Sequence, residues 1–99
     1  MTCCKNRLTA IGAKTGLQSF LKSRWETALG AKHCELLENS PGRFSCQFET
    51  ENLPVESLKR LSWQSPRVTL LLDYEMEKTR IKGLAKAEAG KLEHYEIQY

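Results

Sequence analysis

Residues Phe44 to Tyr74 read FSCQFETENLPVESLKRLSWQSPRVTLLLDY, two alternating apolar runs joined by a short amphipathic segment with a proline at each end. Phe44, Cys46 and Phe48 share one face of the first run, and Val68, Leu70, Leu72 and Tyr74 share one face of the second. A period of two over that length predicts half-buried strands. Between them Val55, Leu58 and Leu61 recur at helical spacing, and Pro54 suits a first turn because it has no N–H to leave unpaired. The stretch is therefore strand, helix, strand. Pro66 closes the helix, since a residue before proline resists helical dihedrals.

Working outward, Asn6 to Ile11 predicts a strand ended by Gly12. Leu17, Phe20, Leu21, Trp25 and Ala28 form one apolar stripe, which predicts a single helix over Lys14 to Leu29 with Thr15 as N-cap and Gly30 as C-cap. His33 to Glu38 alternates weakly, and Pro41-Gly42 predicts a type II turn into the strand at Phe44. Asn52 is the candidate cap of the helix over Leu53 to Trp63. Strands over Val68 to Glu75, Thr79 to Ala87 and Lys91 to Gln98 complete the chain, the last two joined at Ala89-Gly90. The order β-α-β-β-α-β, followed by β-β, predicts an α+β fold. Its form is the ferredoxin-like split βαβ arrangement with an added C-terminal hairpin and two helices on one face of an antiparallel sheet. The expected strand order is 2-3-1-4, with strands five and six beyond the fourth. The uncovered face would carry Thr9, Ser45, Gln47, Glu49, Thr69, Leu71, Asp73, Arg80, Lys82, Lys86 and His94.

A chain of 99 residues makes one domain, burying roughly 65% of the surface exposed when unfolded. A net charge of +3, with fifteen basic residues interleaved among twelve acidic ones, makes no basic arm. No run is long enough to span a membrane and no leader pattern opens the sequence, so the cytoplasm is the expected compartment. Four cysteines without C-x-x-C spacing read as reduced thiols, with Cys34 and Cys46 as small buried apolar residues. His33-Cys34 and Cys3-Cys4 match no zinc spacing, so neither metal nor cofactor is expected.

Some of these residues resemble a family. Cys4-x-Asn6-x-Leu8-Thr9-x-x-Gly12 is similar to the opening of the YubB-like ferredoxin-fold proteins of plasmids and other mobile elements. Phe48-x-Thr50, Pro54, Leu58, Leu61-Ser62, Pro66, Tyr74-Glu75 and Gly83 resemble that family's later half. Cys3 stands where the family has tryptophan, Met76-Glu77-Lys78 replaces a glycine-bearing turn, and a compact hairpin replaces a central insertion. The resemblance implies a fold and a mobile-element setting. It brings no catalytic residues.

The residues themselves offer no reaction either. His33 and His94 are the only histidines, and nothing in the sequence sets either beside a cysteine or serine nucleophile. Carboxylate pairs such as Asp73 and Glu75 recur on any solvated strand, and the glycines form no phosphate loop. RNA-recognition domains share the predicted topology and stack bases on third-strand aromatics. Here Phe44 and Phe48 belong to the core face, leaving Arg43, Ser45 and Gln47 outward. The remaining phosphate contacts would be Arg43, Arg80, Lys82 and Lys86. The sequence therefore predicts a non-enzymatic protein-binding module. In the version the resemblance implies, it interferes with a host defence or nuclease component. The alternative is sequence-tolerant single-stranded nucleic-acid binding through the open face. Tyr99 and Trp63 are candidate exposed anchors, but the expected place of Trp63 is packed under the end of its helix.

Overall fold

The computed structural model describes residues 4–99. The chain is α+β, with strands β1 (Cys4–Gly12), β2 (Lys32–Ser40), β3 (Arg43–Thr50), β4 (Val68–Met76), β5 (Ile81–Glu88) and β6 (Lys91–Gln98). Helices α1 (Lys14–Leu21) and α2 (Trp25–Leu29) follow β1, and α3 (Val55–Gln64) lies between β3 and β4. A 3-10 turn over Glu77–Thr79 links β4 to β5. All six strands join one antiparallel sheet in the order β2-β3-β1-β4-β5-β6.

Alternation builds the core. Leu8, Ala10, Phe44, Cys46, Phe48, Leu70, Leu72, Ala85 and Ala87 point to one face of the sheet, where they meet Leu17, Phe20, Leu58 and Leu61 of the helices. Leu58 and Leu61 are sealed from solvent, and each such side chain contributes about 1.5–3 kcal/mol by leaving water. Trp25 sits at the centre of an aromatic group, 5.7 Å from both Phe44 and Phe48 and 6.1 Å from Phe20.

Placing Trp25 there requires a break in the first helix, which the apolar stripe did not reveal. Ser23 donates through its N–H and its Oγ to the Phe20 carbonyl, closing α1, and Arg24 takes a left-handed conformation before α2 begins. Hydroxyl-to-backbone bonds of this kind compete with helix continuation. Leu29 rather than Ala28 is then buried. Other caps differ too: Ala13 precedes α1 with Thr15 inside it, and Pro54 rather than Asn52 precedes α3. Gly30 is left-handed at the end of α2, as a C-cap glycine should be. Pro41-Gly42 does connect β2 to β3, but Gly42 is not left-handed, so the turn is not type II.

Cys46 is buried while Cys34 is exposed, because β2 is the uncovered edge of the sheet. Cys3 lies outside the described residues, and Cys4 is buried. Burial pushes the Cys46 thiol up to about 12, with Cys34 and Glu26 adding to it.

Candidate functional site

The sheet face opposite the helices is built by the odd-numbered residues of β1, β3, β4 and β6 and the even-numbered residues of β5, as the strand registers require. Near β1 and β3 it is polar and tightly knit. Thr9 and Ser45 are cross-strand partners joined hydroxyl to hydroxyl at 3.3 Å, and both are buried although they lie on this face. Toward β5 and β6 the face becomes apolar. Leu84 opposes Tyr95 and Lys82 opposes Ile97. Tyr95 is 67% exposed, Ile97 64% and Leu84 45%. Leu71 lies half-buried on β4 beside Lys86. Cross-strand neighbours on one face stand about 4.5–5.5 Å apart at Cβ, so Leu84, Tyr95 and Ile97 form one continuous patch. Alternation in β6 carried this signal, but the patch emerges only when Leu84 of β5 is aligned with Tyr95.

The four cations read as phosphate contacts do not converge. Arg43 sits at the start of β3, its Nε 3.4 Å from the Glu38 carboxylate. Lys82 and Lys86 share the open face of β5 but are separated by Leu84, a spacing of about 13 Å along a strand. Arg43 lies three strands from them in the sheet order, level with Glu88, about 14 Å across the sheet before the offset along the strands is added. Arg80 is not on a strand face at all. It occupies the left-handed cap of the 3-10 turn, where its carbonyl accepts from the Tyr99 N–H at 2.8 Å. The Lys82 ammonium lies 5.1 Å from the centroid of the Tyr99 ring, and the Tyr99 hydroxyl donates to Glu75. That bond to the carboxylate is the main reason the Tyr99 phenol is held above its ordinary pKa.

An open depression of about 600 Å³ on this face is edged by Lys5, Arg7, Asp73, Glu75 and Lys82. Its signs alternate, and two of its basic groups face carboxylates: Arg7 Nε stands 3.9 Å from Asp73, and Lys5 Nζ is 2.8 Å from Glu77. Such a lining presents no single field to a polyanion.

His94 is on the opposite side from the one predicted. It pairs with Ala85, a core-facing residue, so its ring lies on the helix side. There the Tyr74 hydroxyl contacts His94 Nε2 and donates to Glu96 Oε1 at 2.6 Å. Burial first, then the bond to Glu96, hold the Tyr74 phenol well above its ordinary value of 10.0. Held by both partners, the phenol ties β4 to β6. Gly83 makes the tie geometrically available, because a Cβ there would come within 2.0 Å of the Tyr74 ring. Trp63 is not packed under its helix. It is 66% exposed and its ring lies across the backbone of Gly90.

Among the described residues no group of three or more His, Cys, Asp and Glu is arranged to hold a metal ion. No helix of the described residues is long and apolar enough to cross a membrane. Comparison with protein-family models, with curated proteins and with solved structures returned no match.

Proposed function

We propose that the chain is a non-enzymatic protein-binding module whose open sheet face, at the β5–β6 end, is the contact surface. The observation that carries this reading is the patch of Leu84, Tyr95 and Ile97. Aromatic and branched side chains presented together on a rigid sheet supply contact area at low entropic cost, and tyrosine is a frequent anchor at protein interfaces. The surrounding charges form a mixed rim, which suits a folded partner better than a polyanion.

The strand order β2-β3-β1-β4 supports a ferredoxin-like assignment for the elements from β1 to β4, with β5 and β6 as an appended hairpin. The motifs similar to the YubB-like family run from β1 to Gly83 of β5, and most of them are core or turn positions. They support a mobile-element version of this function, in which the partner is a host defence or nuclease component. That version rests on association rather than on site chemistry.

A second reading has its own observation. Tyr95 stands between Lys82 and Lys86 in cross-strand projection, since its partner Leu84 separates them. An exposed ring flanked by cations is the element of a stacking platform for single-stranded nucleic acid. Glu93 opposite Lys86 and Glu75 opposite Lys82 weigh against it.

Affinity capture with the wild-type chain and with Leu84→Lys, scored separately for protein and for nucleic acid, tests the choice. The expected result is a protein species held by the wild type and lost with the variant. Oligonucleotide binding at physiological salt should be weak. The reading is overturned by micromolar oligonucleotide binding that falls with salt at a log–log slope near −3, as about four neutralised phosphates would give, and that is lost in Arg80→Ala, Lys82→Ala.

A further inference from the structure

The two edges of the sheet are unlike. β2 is interrupted twice, with register shifts between Lys32 and Glu35 and between Leu36 and Glu38, and His33 within it is left-handed. Bulges of this kind spoil an edge as a template for another strand. β6 runs from Lys91 to Gln98 in unbroken register with β5 and contains no proline. Its outer side is an unblocked ladder.

Which groups point outward follows from the hairpin. Ala89 and Gly90, with φ of 49° and 83°, form a two-residue turn with both centres left-handed, and such a turn is flanked by a hydrogen-bonded pair. Here that pair is Glu88 and Lys91. At the far end Tyr99 donates its N–H to Arg80. The odd residues of β6 therefore bond to β5, and Leu92, His94, Glu96 and Gln98 direct their N–H and C=O groups away from the sheet.

We propose that β6 pairs antiparallel with β6 of a second copy of this chain, with Tyr95 facing its counterpart across the two-fold axis. Self-pairing that uses the outward groups and continues the same face leaves few registers. Centring on His94 would oppose His94 to itself, and centring on Glu96 would oppose two carboxylates. Centring on Tyr95 opposes each His94 to a Glu96, imidazole to carboxylate, and each Leu92 to a Gln98. It also uses the whole strand and brings the two Tyr95 rings together as a non-hydrogen-bonded pair, whose side chains approach most closely. The match of imidazole to carboxylate, donor to acceptor, thus selects both the occupant and the register. The pairing uses the backbone edge of β6, while Tyr95 and Ile97 also belong to the patch of the proposed function; Leu84→Lys alters the patch without touching the edge, so the two readings fail separately.

Sedimentation equilibrium of the full chain should show a reversible dimer. Glu96→Pro removes an outward N–H that β5 does not use, a position where an edge strand accepts proline. It should give a monomer, whereas Tyr74→Phe, which removes the bond to Glu96 without blocking the edge, should remain a dimer. Leu84→Lys, on the face rather than the edge, should leave the dimer in place. In a Cys3→Ser, Cys34→Ser background, Tyr95→Cys should oxidise to a disulfide-linked dimer, since Cα atoms of such a pair lie about 4.5 Å apart. Glu93→Cys, opposite Ile97, should not. A monomer at every concentration, or equal cross-linking of the two cysteine variants, overturns the proposal.

Discussion

At the scale of single residues, neighbours on one strand meet opposite environments. Leu70 is fully buried beneath the helices, while Thr69 lies half-buried on the open face. Leu70→Ala should cost about 2–5 kcal/mol, because a cavity is added to the lost transfer energy. Thr69→Ala should fall within about 0.5 kcal/mol. Urea titrations of the two variants measure the contrast, and equal losses would mean that the facing of β4 is wrong. Those two positions were legible from alternation alone. Arg24 was not, since it depends on where Trp25 must go; His94 was misplaced although the turn at Ala89-Gly90, itself legible, sets it opposite the core-facing Ala85.

At the scale of elements, β4, β5 and β6 are tied by one phenol passing over one glycine. Tyr74 crosses Gly83 to reach His94 and Glu96, and no side chain larger than hydrogen fits beneath its ring. Gly83→Ala should destabilise by about 1–3 kcal/mol through overpacking. In a Tyr74→Ala background the same change should cost far less, as a double-mutant cycle would show. Additive costs in that cycle would reject the contact as the cause. The strands and their order could be read from apolar periodicity and turn residues. The break between α1 and α2 could not, since Leu17, Phe20 and Trp25 satisfy a continuous stripe as well as an interrupted one.

At the scale of the whole molecule, buried acids link stability to alkaline pH. Cys46 is raised from 9.0 to about 12, and Tyr74 is raised from 10.0. Above about pH 9 the unfolded chain releases these protons while the folded chain retains them, so stability is complete below that pH and declines as pH rises. The urea midpoint should fall from about pH 9 upward, and Cys46→Ala should flatten the onset; identical pH profiles for variant and wild type would refute the linkage. The candidate site was only half legible. Arg43, Lys82 and Lys86 are exposed as read, but strand spacing scatters them, and the patch of Leu84, Tyr95 and Ile97 required the hairpin register. The irregular path of β2 also limits growth. Two molecules joined at their regular edges would present only kinked outer strands, on which no third molecule could extend the ladder. Association would then stop at a closed pair, and the bulges of β2 would keep the protein from polymerising into a filament.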